Sequence, residues 1–151
     1  MRLLEKHGIP TIPHLVVGLH YGRLLGEAEA LRIVSRHDVK AFVIVVLMPL
    51  QGTDMEQVSP PPPNVVIRII VAARLILEDK PLLLGCARPR GTYRAMLDPL
   101  AVRAGVNGIA YPSVEAYRTA RDVRLDTEFH EECCSLIWRY LSRRCRRASA
   151  P

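Results

Sequence analysis

Short unbroken apolar runs alternate with helically spaced apolar positions four times along this chain, and the alternation predicts four β/α units. The runs cover residues 14–19, 41–48, 82–86 and 108–111. The second, AFVIVVLM, and the three leucines of the third carry no polar alternation, the pattern of strands buried on both faces of a parallel sheet. Between the runs, apolar residues fall on helical stripes. Ala30, Leu31 and Val34 mark a helix over 27–36. Val66, Ile69, Ile70, Ala73, Ile76 and Leu77 mark one over 64–77. Tyr93, Met96, Leu97, Leu100 and Ala101 mark one over 92–104, and Val114, Tyr117 and Ala120 mark the last. Asn64 and Ser113 read as N-caps, and Gly8 and Gly105 as helix terminators. A short helix over 1–6 precedes the first unit, and His14, opening the first strand, reads as a core histidine. Beyond Val123 the pattern weakens into a further helix over 127–141 and a frayed end over 143–151. The chain thus divides into the four units, 1–122, and a helical, arginine-rich tail, 123–151. The strands are expected to be parallel and adjacent in chain order, with Gly18, Gly52, Cys86 and Tyr111 at one rim.

Composition narrows the class. A chain of 151 residues has room for one domain with a real core. Its longest apolar run, 41–50, is too short to span a bilayer, and no export signal opens it, so the expected location is the cytoplasm. The net charge of +6 gathers late, in Arg139, Arg143, Arg144, Arg146 and Arg147. Only 5% of residues are aromatic, so no stacking platform accompanies those charges, and neither nucleic acid nor a membrane is the expected partner. None of the four cysteines forms a C-x2-C pair, so zinc spacing is absent. No Walker loop or G-x-G-x-x-G follows a strand.

The chemistry concentrates in residues 81–91, PLLLGCARPRG, where a buried run ends in a glycine and then a thiol and two guanidiniums, Cys86, Arg88 and Arg90. Parallel β/α architectures collect functional groups where strands end. Gly18, His20, Gly52, Thr53 and Asn107 are the other strand-end candidates. Arg88 suits bidentate recognition of a carboxylate or, equally, a loop salt bridge. Cys86 suits a ligand or, equally, a small buried hydrophobe.

Taken in order, these loops resemble the second half of a biotin synthase-like radical S-adenosylmethionine enzyme. The resemblance runs from about Gly8 to Arg121. It rests on Gly8-Ile9, Gly26-Glu27, Pro49 with Gly52-Thr53, Ala73-Arg74-Leu75, Gly85 to Arg88, and Ala104-Gly105-Val106-Asn107. It implies a (β/α) barrel, of which this chain supplies a half: about four parallel units where a full barrel needs about eight strands. It implies S-adenosylmethionine and a 4Fe-4S cluster in the intact enzyme, with Gly18, Glu27, Gly52, Thr53 and Arg88 toward the cofactor. The C-x3-C-x2-C loop that holds the family's cluster is absent, so the chain alone is expected to be inactive, and no catalytic residue is assigned. Leu83 stands where biotin synthases place a cluster-ligating arginine, and Val45 where they keep a polar residue. The implied activity is therefore that of sulfur-inserting relatives such as two-component lipoyl synthases, on a small-molecule or protein-bound acyl substrate. Cys86, Cys133 and Cys134 are the ligands expected for an auxiliary iron–sulfur cluster. The implied partner is the missing N-terminal half. The alternative is a non-catalytic accessory half-barrel that pairs with a partner subunit.

Overall fold

The run AFVIVVLM forms the centre of a four-stranded parallel sheet whose strands lie side by side in chain order. The structure is a computed structural model and describes residues 1–141. A short helix α1 (Arg2–Lys6) leads into β1 (His14–Val17), α2 (Glu27–Val34), β2 (Phe42–Val46), α3 (Pro63–Ile76), β3 (Leu82–Leu84), α4 (Thr92–Arg103), β4 (Gly108–Ile109) and α5 (Val114–Asp122). His14 pairs with Val43, Phe42 with Leu82, and Leu83 with Gly108, each in parallel register. All five residues of β2 and all three of β3 are buried.

Side chains alternate across a strand, so each buried run serves two cores. Phe42, Ile44, Val46, Leu82 and Leu84 pack against Leu31 of α2, Val66, Ile70 and Ala73 of α3, and Leu97 and Ala101 of α4. Ala41, Val43, Val45 and Leu83 face the other way. That second face is covered by Ile12, Val16, Cys134, Ile137, Trp138 and Leu141. The helices that cross between strands therefore pack on one face alone.

Several boundaries differ from expectation for identifiable reasons. Pro62, extended at ψ 152°, is the N-cap of α3, and Pro63 takes the first helical position, displacing Asn64 into the helix. Proline suits that position because its missing N–H has no helical partner there. Ser113 does cap α5, accepting from the Ala116 N–H at 3.3 Å. His14 is exposed and bonds the Ile12 carbonyl at 3.0 Å, because β1 is an edge strand. The helix expected over 127–141 is an irregular stretch to Cys133, then a 3-10 turn, Cys134–Leu136, with 138–141 helical. The stretch is rich in acid, and its large apolar residue, Phe129, is exposed, so no apolar stripe draws it onto the protein. The arginines at 143, 144, 146 and 147, Cys145 and the end expected to fray lie outside the described residues. Among the described residues, no helix is long and apolar enough to cross a membrane.

The end of the sheet where strands begin is tied by charge and by one arginine. Arg74 of α3 donates to the carbonyls of Leu77, Glu78 and Lys80, and to Asn107 Oδ1 at 3.0 Å. Asn107 Oδ1 also accepts from the Leu82 N–H at 2.9 Å, so this asparagine stands at the start of β4 and not at the strand-end rim. Asp38 accepts from Lys40 at 2.6 Å and Lys80 at 2.9 Å. Glu5 accepts from the Asp38 N–H and bonds His37 Nδ1.

The hydrogen bonds from Lys40 and Lys80 lower the Asp38 carboxyl from an ordinary 3.8 to about 2. A depressed carboxyl stabilises the fold above its unfolded value and loses that contribution as pH falls through the folded one. The loss therefore falls between about pH 4 and pH 2, and stays small because the group is exposed. Asp38→Asn should flatten the melting temperature against pH in that window while leaving the fold at pH 7 unchanged. Parallel curves for the two proteins would refute the assignment.

Candidate functional site

The four strands end together, and the loops that follow β3 and β4 are held by Arg88. Its side chain is 0% exposed and places each of its five donors on a protein oxygen. Nε and Nη2 grip the two oxygens of Asp98 on α4, each at 2.9 Å. Nη1 donates to the Gly85 carbonyl at 2.7 Å and the Ala110 carbonyl at 2.8 Å, and Nη2 also reaches the Tyr111 carbonyl at 3.3 Å. Asp98, also 0% exposed, accepts in addition from the Ser113 N–H at 2.9 Å. One guanidinium thus joins β3, α4 and the β4 loop, and its carboxylate reaches the cap of α5. Of the two occupations open to Arg88, the structure contains the salt bridge.

The loop after β1 is covered by the proline tract. Gly18 has φ +83°, and a Cβ there would lie 2.2 Å from Pro61 Cγ. A Cβ on Gly22 would lie 2.3 Å from the Ser59 carbonyl oxygen. Tyr93 of α4 donates its hydroxyl to the Pro61 carbonyl, and burial raises that hydroxyl to about 12. Glu27, 5% exposed at the start of α2, accepts from the Gly18 N–H at 2.9 Å through Oε1. Its Oε2 is buried with no hydrogen-bond partner. Gly52 and Thr53 sit apart from these groups in an exposed turn. The Gly52 N–H donates to Glu56, lowering that carboxyl, and the Thr53 hydroxyl donates to the Leu50 carbonyl at 2.7 Å. His20 is exposed and stacks edge-on against Tyr21.

The three thiols expected to act together lie in one region. Cys86 is exposed just past β3, and Cys134 is half-buried against Ala41, Val43, Val45 and Leu83. Burial, then the neighbouring Cys133, pushes the Cys134 thiol up. Cys133 is exposed, and its contact with the Ser135 hydroxyl at 3.1 Å lowers its thiol. Arg94 approaches from α4, reaching the carbonyls of Cys86 and Tyr111 at 3.4 Å. Its Nε is buried without a partner, and burial followed by repulsion from Arg88 lowers this group.

These positions bear on the cofactors. Gly18 lies against Pro61, Arg88 is consumed by Asp98 and carbonyls, and Gly52-Thr53 forms its own turn. As they stand, the five residues do not converge on a cradle for S-adenosylmethionine. Among the described residues, no three His, Cys, Asp or Glu side chains are arranged to hold a metal ion, so the thiols do not fit an auxiliary cluster in this arrangement. Two surface grooves among the described residues lie elsewhere. One, about 700 Å³, runs along α5 past Tyr117, Arg118, Arg121 and Arg124. The other, about 370 Å³, lies at the strand-start end beside Glu5 and Asp38. No protein-family model matches this chain, and no curated protein matches it.

Asp98, Tyr93 and Arg94 complete the rim, and the sequence pattern singled out none of them as polar partners. Asp98 carried the one available signal, an acid inside a helix whose neighbours Leu97 and Ala101 are buried. Arg88→Ala should lower stability by about 3–5 kcal/mol, the cost of stranding a buried carboxylate. Arg88→Lys should not recover it, because an ammonium has three donors and cannot span Asp98 and three carbonyls. Urea denaturation of Arg88→Ala, Asp98→Ala and Arg88→Ala/Asp98→Ala measures the coupling, and additive losses would refute the pair's role.

Proposed function

We propose that this chain is the C-terminal half of a (β/α) barrel enzyme of the biotin synthase-like radical S-adenosylmethionine type, and that it does no chemistry alone. The observation that carries the reading is the winding of the sheet. The strands follow chain order without reversal, and the crossing helices pack on one face. A doubly wound sheet reverses its strand order and places helices on both faces, whereas a barrel keeps one direction and one outer layer. The opposite face presents Ala41, Val43, Val45 and Leu83, apolar as a packed barrel interior is. Strands β1 and β4 keep unpaired edges, where a second half would add its strands.

The order of loop residues from Gly8 to Arg121 supports the family. In this reading the other half holds the 4Fe-4S cluster and most of the S-adenosylmethionine site, and supplies the chemistry of radical sulfur insertion or related C–H activation. This half supplies the rim fixed by Arg88 and Asp98, and the enzyme works in the cytoplasm on a small-molecule or protein-bound acyl substrate. A second reading, an accessory half-barrel without catalysis, is favoured by one feature: Gly18, Glu27 and Arg88 are engaged with the protein's own groups.

Reconstituted with iron, sulfide and reductant, the chain alone should release no 5′-deoxyadenosine from S-adenosylmethionine above a no-protein control. Release above that control would overturn the dependence on a second half. Sequencing the genomic DNA upstream of the Met1 codon separates the two readings. A frame continuing into a three-cysteine loop supports the enzyme half, and a stop codon with its own ribosome-binding site supports the accessory protein.

A further inference from the structure

The groove along α5 brings together cationic, apolar and aromatic groups that the half-barrel reading does not use. The helix turns Ala116, Thr119 and Ala120 inward. Its outer side presents the exposed Val114 and Tyr117, then Arg118 and Arg121, to a groove of about 700 Å³. Arg124 and Leu125 continue the wall beyond the helix. Among the described residues, none of these three guanidiniums makes a hydrogen bond or an ion pair, although Glu115 and Asp122 stand on the same helix. Asp126 is the one carboxylate of the lining, so the groove keeps an excess of positive charge. A volume of this size takes a small ligand.

Arg124 is held at the groove against its backbone preference. The helix ends in a Schellman turn, where the Leu125 N–H donates to the Ala120 carbonyl at 2.9 Å and the Arg124 N–H to the Arg121 carbonyl at 3.0 Å. The turn sets φ at +58° for Arg124, a left-handed conformation in which glycine is the usual residue. The arginine therefore costs the fold some stability that a glycine would not, and its side chain lines the groove.

We propose that this groove binds a small phosphate ester of the nucleoside diphosphate kind, with its phosphates on the arginines and its base stacked on Tyr117 beside Val114. A helix rises about 1.5 Å per residue, so Val114 and Arg121 lie about 10 Å apart along its axis, a span that a base and two phosphates cover. A diphosphate also suits the charge. A lone carboxylate would occupy one guanidinium fork, whereas two phosphates offer oxygens to all three. An aromatic ring accepts the face of any base, so purines and pyrimidines fit alike. One exposed ring in a short groove holds one nucleotide and not a strand, whose binding draws on successive aromatic platforms. In the half-barrel reading α5 belongs to the outer layer, so this site lies apart from the barrel interior and does not depend on that reading.

The test titrates the full chain at low salt with adenosine diphosphate, uridine diphosphate, pyrophosphate, adenosine and a single-stranded oligoribonucleotide, followed by calorimetry. Both nucleoside diphosphates should bind, pyrophosphate about ten-fold more weakly, and adenosine more weakly still. Arg121→Ala should weaken adenosine diphosphate by about ten-fold. Tyr117→Ala should weaken it to the level of pyrophosphate and leave pyrophosphate itself unchanged. Arg124→Gly should weaken the nucleotide while holding or raising the melting temperature, because glycine relieves the turn, so the loss cannot come from unfolding. Four outcomes would overturn the proposal. Neither nucleoside diphosphate binds; or both bind equally well to Arg121→Ala and Arg124→Gly, which puts their site elsewhere. Pyrophosphate binds as tightly as the nucleotides, which leaves a patch of charge alone; or the oligoribonucleotide binds more tightly than either nucleotide and is lost in the same variants, which makes the groove a nucleic-acid surface. None of these measurements involves a second half or its cluster, so their failure leaves the half-barrel reading standing.

Discussion

A parallel sheet of valine, isoleucine and leucine has two faces to remove from water, and in this chain the crossing helices cover one of them. Everything distinctive about the molecule follows from that imbalance. The helix-covered face is an ordinary α/β core, with Phe42, Ile44, Leu82 and Leu84 set against three helices. The other face has strands of equal hydrophobicity and no helix layer. Burying a valine or leucine side chain is worth roughly 1.5–3 kcal/mol, so leaving Val43, Val45 and Leu83 in water would cost much of the stability of a small domain. Ile137, Trp138 and Leu141 settle there for that reason, and a closed barrel would satisfy the same demand by a different route.

The rim answers a second constraint, the marginal attachment of the last unit. Strand β4 is two residues long and offers little pairing of its own. Arg88 compensates by binding the carbonyls of Ala110 and Tyr111 just beyond it, while Asp98 takes the Ser113 N–H at the start of α5. A buried ion pair gains little when set against a hydrophobic replacement. Here it satisfies three carbonyls and one amide, which a hydrophobic replacement would not do, and it shares only the Tyr111 carbonyl, with Arg94.

The sequence disclosed the elements well and the site poorly, for the same physical reason. Unbroken runs and helical stripes are properties of many residues at once, so the four parallel units and the Ser113 cap were legible. Side-chain pairing depends on single positions. Nothing local distinguishes Arg88, 0% exposed, from the exposed Arg90 two residues later. The stripe on α4 was read through Met96, which is 60% exposed, because the fully buried Asp98 turns the inward face toward itself. Gly85, the glycine that ends the third run, is a close approach, since a Cβ there would meet Val45 Cγ1 at 2.5 Å. The start of α3 was legible in principle, because proline at a first helical position is a known preference that Asn64 obscured.

The chain-order topology has a consequence for how this protein is made. Each strand pairs only with the strands before and after it, and each helix between strands closes a local crossover. Contacts therefore join segments near in sequence, the condition under which folding is fast and loop-closure entropy small. A nascent chain can bury β1 against β2 and α2 before β3 exists, and each later unit adds to a surface already formed. The segment over 134–141 is the exception, because it joins sheet residues nearly a hundred positions earlier. Until it leaves the ribosome the inner face stays bare, so the interval between synthesis of β3 and synthesis of Trp138 is when this protein is most exposed to aggregation.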